Sequence, residues 1–492
     1  MNAPVFTSAD AFVLLPAILL VLFACGTLLV DVVGRRTRQS RRIIVVFGMF
    51  GIAVTGLSIA RQWSAMSAAG VAHFTAAQGA MTVDGLSFFS NAVTLAITAL
   101  FYLISYQFLE INAEDRAEYY ALALFAEAGM YVMATASELV TLFLGLELTA
   151  ICFYILVGFT RRDRRSNEAA LKYLLLGGVA SGFLLYGFSL LYGIAGSTEL
   201  SEISTAVRER GPADPVLVLA IVTIAAALLF KISAVPFHSW TPDAYDGAPT
   251  PVTAYLSVAS KVASFAVLIR LMPMMFASVH TVWIPVLAAA SVASMSVGTI
   301  AALTQSRLKR LFAYSSIAHA GYLLLGLVAQ NENGLRGVYI YLIVYAAMEF
   351  GAFTVLTSLH RRGISGETLA DLRGLSKTHP LHAALFVVLL LSLAGIPPTA
   401  GFIGKYYIFM ALIETGHYAL AAVASAYVAV SLYFYFRLVR EMYLQDAEVR
   451  EPLAAGFGIQ FALYATAALT VFIGIFPEPI LRLGFRVAGV GQ

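Results

Sequence analysis

Hydrophobic residues in this chain fall in long runs, without the period of a half-buried strand. The run from Ala11 to Val33 carries one charged side chain, Asp31. About 20 consecutive apolar residues are enough for a helix to cross a bilayer. Segments of that kind recur near 11–33, 43–61, 85–109, 117–136, 138–159, 168–194, 215–247, 252–272, 280–303, 311–329, 335–359, 382–414, 418–439 and 458–483. The pattern predicts an all-α polytopic membrane protein with about 14 transmembrane helices. Helix seven is interrupted at Val235-Pro236-Phe237, and helix twelve at Gly395-Ile396-Pro397-Pro398. Each proline removes a backbone donor and clashes with the preceding turn. A broken helix at membrane depth survives only where the freed backbone groups face protein or water.

Composition sharpens this picture. Of 492 residues, 60% are hydrophobic and 12% charged, with a mean hydropathy of +0.82. That charge share is too small to cover a soluble enzyme of this size. A net charge of +3 gives no footprint for nucleic acid. Cys25 and Cys152 both sit in apolar runs and read as packing residues. Met1 to Asp10 has no basic side chain, so the first apolar run reads as a retained helix, not a leader peptide. Lysine and arginine concentrate in the odd-numbered loops. The positive-inside rule then puts those loops in the cytoplasm and both termini outside.

Four of the six lysines, Lys172, Lys231, Lys261 and Lys405, lie inside predicted spans, whereas arginines fall in loops or near helix ends. Central lysines would cost roughly 10–14 kcal/mol in all before pairing. Arginine holds its proton permanently, while a buried lysine can lose one. The preference for lysine therefore points to groups that change charge. Glu147 lies mid-span on helix five and suits a lysine partner. His238 follows the first break, and His319 lies within helix ten. Asp84 and Glu138 sit at helix ends and read as caps. Glu127 and Glu349 are deep, with no obvious partner in the sequence.

Helices four to eight and nine to thirteen each carry a lysine-bearing broken helix in fourth place. Five-helix units insert in opposite orientations, so the pattern predicts two inverted repeats, an architecture of transporters. The divisions are residues 1–116, a three-helix segment; 117–279, the first repeat; 280–445, the second; and 446–492, a last helix.

The run Phe230-Lys231-Ile232-Ser233-Ala234-Val235-Pro236-Phe237-His238-Ser239-Trp240-Thr241-Pro242-Asp243-Ala244-Tyr245, with Gly247-Ala248-Pro249-Thr250-Pro251 and Ser260-Lys261 after it, resembles the broken-helix signature of the antiporter-like subunits of respiratory complex I. So do Leu308-Lys309-Arg310-Leu311-Phe312-Ala313-Tyr314-Ser315-Ser316-Ile317-Ala318-His319 and Gly395-Ile396-Pro397-Pro398-Thr399-Ala400-Gly401-Phe402-Ile403-Gly404-Lys405. Leu144-Gly145-Leu146-Glu147-Leu148 and the lysine after the second break resemble the N-type branch. The resemblance implies a coupled Glu147–Lys231 pair, Lys261 as central relay and Lys405 as terminal proton donor or acceptor. It also implies redox chemistry in partner subunits that carry flavin and iron–sulfur clusters, with neighbouring antiporter-like subunits and lipid around this chain.

The expected function is proton translocation coupled to NADH oxidation and quinone reduction elsewhere in the complex. The expected pathway residues are Glu147, Lys231, Lys261, Lys405, Lys172, His319 and His238, beside breaks at Pro236, Pro397 and Pro398. No catalytic, cofactor or metal site is expected in the chain itself. The alternatives are a subunit of a multisubunit cation/proton antiporter and a standalone ion-coupled solute transporter. The latter needs a substrate site larger than a row of lysines, a glutamate and histidines.

Overall fold

The structure, a computed structural model, describes residues 7–34, 38–112, 117–360, 366–446, 453 and 456–487. Long apolar runs become helices because a helix satisfies its own backbone where water is absent. They are α1 (Ser8–Val33), α2 (Arg38–Ala69), α3 (Gly85–Asn112), α4 (Ala117–Thr135), α5 (Leu139–Val157), α6 (Arg164–Ala195), α7 (Leu200–Arg210), α8 (Pro215–Lys231), α9 (Trp240–Gly247), α10 (Thr250–Tyr255), α11 (Lys261–Ile269), α12 (His280–Thr304), α13 (Leu308–Val328), α14 (Glu332–Leu359), α15 (Leu375–Thr378), α16 (Pro380–Ala394), α17 (Ala400–Glu414), α18 (Tyr418–Leu444), α19 (Phe457–Ile475) and α20 (Glu478–Val487). α10 and α11 are parts of one continuous helix, Thr250–Met275, joined through a π-helical turn at Leu256–Ser260.

Among the described residues, 11 helices are long and apolar enough to cross a membrane, and α8 and α16 are shorter apolar helices. The predicted seventh and twelfth spans are each two helices: α8 and α9 with a loop between, and α16 and α17 likewise. α4 occupies the place of the predicted fourth span but is not among the 11.

Three expectations need correction. The fold is nearly all-helical, not wholly so: β1 (Phe74–Ala76) and β2 (Met81–Val83) form an antiparallel hairpin between α2 and α3. The predicted loop between spans six and seven holds the helix α7. The predicted last span is two helices, because Pro477 cannot continue the ladder after Ile475.

The core lies in the helix Thr250–Met275, α13 and α14, whose apolar stretches are buried over 100%, 94% and 94% of their length, against 28% for α1 and α18. The apolar side chains left exposed on α1, α5, α6, α18 and α19 form a lipid- or subunit-facing rim. Glycines set the closest crossings. A Cβ on Gly145 of α5 would lie 2.6 Å from the Met133 nitrogen of α4, and one on Gly298 of α12 would lie 2.6 Å from the Ala318 nitrogen of α13. Small residues at such crossings let helix backbones approach in a membrane.

Connections segregate to two ends. At one end, Asp10 accepts from Ala77 N at 2.6 Å, Arg270 forks onto Asp84 at 3.0 and 3.1 Å, and Glu138 bridges to Glu199. Asp84 also caps α3, accepting from Ser87 N, and Glu138 caps α5, accepting from Thr141 N. Four backbone and hydroxyl donors hold the Glu138 carboxyl below the usual carboxylate range despite its partial burial. At the other end Arg307 bridges to Thr368 and pairs with Asp246 and Glu367, and the buried Lys309 pairs with Glu367 at 2.5 Å. Among the described residues, the first end thus gathers predicted loops two, four, six and eight, and the second gathers loops seven, nine and eleven.

Candidate functional site

Lys231 is the last residue of α8, directly before the first break. The chain then turns through Ile232 to Ser239. Trp240 Nε1 donates to Phe230 O at 3.1 Å and Val235 N to Ser294 Oγ at 2.8 Å, so protein groups satisfy the freed backbone. Lys231 is 9% exposed and its Nζ has no protein hydrogen-bond partner. Glu147 is its acidic neighbour by electrostatic reach, without direct contact. Glu147 accepts a short hydrogen bond from Ser181 Oγ of α6. It sits on the rim of the molecule, beside the exposed Leu144 and Ile151 of α5.

Lys261 stands at the centre, 1% exposed, directly after the π-helical turn. Its Nζ donates to Ser316 O at 2.8 Å and Ser316 Oγ at 2.5 Å, both on α13. Tyr345 of α14 donates to the same Oγ at 2.9 Å, and its ring centroid is 5.3 Å from the ammonium. Tyr245 of α9 lies 3.4 Å from that Oγ. With both lone pairs of Ser316 Oγ taken by Lys261 and Tyr345, its own proton is left to donate to Tyr245.

One turn along α13, His319 is buried between two phenols, with Nδ1 2.6 Å from Tyr341 OH and Nε2 3.1 Å from Tyr435 OH. Tyr435 OH also lies 2.6 Å from Ser315 Oγ. A neutral imidazole offers one donor and one acceptor, so this chain of hydroxyls can be reversed by moving protons along it.

Lys405, in the second turn of α17, closes the row. It is 4% exposed; its Nζ donates to Leu393 O at 2.9 Å and Ala394 O at 3.1 Å, and it lies 4.9 Å from the Tyr322 ring centroid. Those carbonyls end α16, so the second break aims a negative helix terminus at the ammonium. Gly395 makes this approach possible: it has φ +87°, and a Cβ there would lie 2.9 Å from Lys405 Cδ. Pro236 lies in the first break, and Pro397 and Pro398 in the second.

The structure therefore brings Lys261, His319 and Lys405 together with Tyr245, Tyr341, Tyr345, Tyr435, Ser315 and Ser316, and places Glu147 and Lys231 at the α5–α8 side. Lys172 stands apart. Its side chain is 45% exposed and paired with Glu168 and Asp243, the latter shared with Arg310 at the odd-loop end. His238 is half-buried in the first break, with no protein partner on Nδ1. The tyrosines and serines carry no charge and gave no sequence signal of their own. The spacing of Tyr341, Tyr345 and Glu349 along one helix face was the available clue. Glu127, buried, accepts from Thr94 and Thr98 hydroxyls at 2.8 Å each.

Residues 136–431 match the family described as NADH:quinone oxidoreductase/Mrp antiporter, TM. NADH-quinone oxidoreductase subunit N 2 of Solibacter usitatus (strain Ellin6076) is 51% identical over 479 residues, 97% of each chain. NADH-quinone oxidoreductase subunit N 2 of Rhizobium meliloti (strain 1021) is 42% identical over 96% of each. Among solved structures, a chain of respiratory complex I from Thermus thermophilus aligns with a TM-score of 0.79 at 32% identity, covering 95% of this chain and 98% of that one. A chain of the Mrp complex from Dietzia sp. DQ12-45-1b has a TM-score of 0.83 at 22% identity, over 98% of this chain and 97% of that one, and shares the fold. This chain belongs to the antiporter-like membrane subunits of NADH:quinone oxidoreductases and Mrp antiporters, and within them to the subunit N branch.

Proposed function

We propose that the chain is a proton-translocating subunit of an NADH–quinone oxidoreductase in a bacterial inner membrane. Protons move along Glu147, Lys231, Lys261, His319 and Lys405. The observation that carries this is a buried row in which Lys261 is held by Ser316 beside Tyr345, the Tyr345 ring lies 5.5 Å from that of His319, His319 sits between Tyr341 and Tyr435, and Lys405 follows beyond Tyr322. Every charged member of it can give up a proton, and every neutral member can both donate and accept. Changing the charge of one member alters the proton affinity of the next, which is how distant redox energy can drive the row. In this reading the chain does no redox chemistry; flavin and iron–sulfur clusters belong to partner subunits. Neighbouring antiporter-like subunits cover part of the apolar rim, including the α5 face that holds Glu147.

The finer architecture belongs to the same proposal. Counting α4 and the two broken pairs as spans gives 14. Residues 117–279 and 280–445 are then inverted repeats, flanked by 1–116 and 446–492. The matching glycine crossings of α4 on α5 and α12 on α13, and the lysine beside each break, support the pairing. Both termini lie on the periplasmic side.

Glu147→Gln tests the function. In membrane vesicles oxidising NADH, the variant should build a smaller proton gradient at normal subunit abundance. Gradient formation at the wild-type level would make Glu147 structural. Purification in mild detergent without hydrophilic, flavin- and iron–sulfur-bearing partners would overturn the assignment to the complex.

A further inference from the structure

Glu349 is fully buried on α14, and neither of its carboxylate oxygens is hydrogen-bonded by a protein group. α13 and α14 run antiparallel, and their contacts define levels. Tyr341 meets His319, Tyr345 meets Ser316, and the Phe353 ring lies 5.5 Å from that of Phe312. Residues four apart share a helix face, so Glu349 falls between Tyr345 and Phe353, on the face that meets α13. Phe353 also approaches Tyr245 of α9, at 6.4 Å between rings. Glu349 is thus one turn nearer the odd-loop end than the level at which Ser316 grips Lys261.

Among the described residues, the ionisable groups within electrostatic reach of Glu349 are Lys261, Tyr245, Tyr341, Tyr345 and Tyr435. Lys261 is the only cation among them. Burying a carboxylate with no donor is costly unless a cation balances it. Yet Lys261 is not in contact with Glu349; it is turned to Ser316 instead. The lysine therefore has two anchors one helical turn apart, a neutral one toward His319 and an acidic one toward the odd-loop end.

We propose that Glu349 is a proton-carrying residue of the pathway, the station that loads Lys261 from the odd-loop end. Protonated Glu349 gives its proton to neutral Lys261. The carboxylic O–H breaks and an N–H forms on Nζ, leaving a carboxylate and an ammonium that hold each other. The ammonium then swings to Ser316, toward His319, and the carboxylate takes a new proton from the odd-loop side. Toward that end lie Tyr245, which contacts Ser316 and Phe353, and the Lys309–Glu367 and Arg307–Asp246 pairs.

This inference rests on the proposed function, and its test separates the two. Glu349→Gln, Glu349→Asp and Lys261→Ala are made in the intact complex and followed in vesicles by NADH oxidation, proton gradient and subunit abundance. Glu349→Gln should lose gradient formation as fully as Lys261→Ala, while Glu349→Asp keeps a measurable part. Turnover should also change a carboxylic acid C=O band in the infrared difference spectrum. Glu349→Asp should shift that band, Glu349→Gln should abolish it, and Glu127→Gln should leave it alone. A merely structural acid gives no turnover-dependent band. If Lys261→Ala fails to pump while Glu349→Gln pumps normally, the loading role is wrong and the function stands. If both pump normally, the proposed function itself falls. Should Glu349→Gln not assemble, a wild-type spectrum with no band that Glu349→Asp shifts overturns the proposal.

Discussion

Two lysines of the same sequence type have opposite environments. Lys261 is buried against Ser316 and Tyr345, whereas Lys172 is half-exposed in a surface ion-pair group. Substituting arginine at each separates a proton carrier from a fixed charge. At position 172 the guanidinium keeps its attraction to Glu168 and Asp243, and exposed pairs contribute only about 0–1 kcal/mol, so gradient formation should be unchanged. At position 261 the charge becomes permanent and fixes the protonation of its neighbours, so pumping should fall nearly as far as in Lys261→Ala at similar subunit abundance. Near-wild-type pumping by Lys261→Arg would show that only charge is needed there. In the sequence, the charged members of the row could be read because charge inside an apolar run is costly. The hydroxyl partners could not, because serine and tyrosine cost little in a membrane helix and the contacts join distant helices. Glu349 looked partnerless for the same reason: Lys261 lies on another helix, and no local spacing relates them.

Each interrupted helix carries a lysine near its break, and the second brings backbone carbonyls to its lysine through Gly395. An L-residue in the left-handed region costs about 1–2 kcal/mol, and the new Cβ would press on Lys405. Gly395→Ala should therefore displace Nζ from Leu393 O and Ala394 O. The expected result is a modest loss of subunit abundance and a larger loss of proton gradient per NADH oxidised. A variant with reduced abundance but normal pumping per complex would show that the carbonyl cap does not tune Lys405. The breaks themselves were legible, because proline at mid-span has few other meanings. The β1–β2 hairpin was not: three-residue strands are too short to show alternation, though Thr75, Thr82 and Val83 flank the turn at Gly79. α7 was missed because an 11-residue amphipathic helix reads as a polar loop when only long apolar runs are sought. Pro477 was visible, but the apolar residues on both sides of it suggested one span.

Across the whole molecule, predicted loops two, four, six and eight lie at one end and loops seven, nine and eleven at the other, and the arginine excess of the odd loops predicts that theirs is the cytoplasmic end. α6 offers the cleanest test. Its 32 residues extend about 48 Å, well beyond a hydrocarbon core of about 30 Å, so its two ends must emerge on different sides. Arg164, at its start, and Ser201, just beyond its end, are both exposed. With Cys25 and Cys152 replaced by alanine, Arg164→Cys should resist a membrane-impermeant thiol reagent applied from the periplasmic side and react after permeabilisation. Ser201→Cys should react without it. Reversed labelling would place both termini in the cytoplasm and reverse the direction of the pathway, because Glu349 would then load Lys261 from outside. Equal labelling of both positions before permeabilisation would deny that α6 spans the bilayer, and the five-helix repeats would fail with it. The orientation thus decides which way the row moves protons, while the lysine, histidine and hydroxyl contacts that allow the movement are the same in either case.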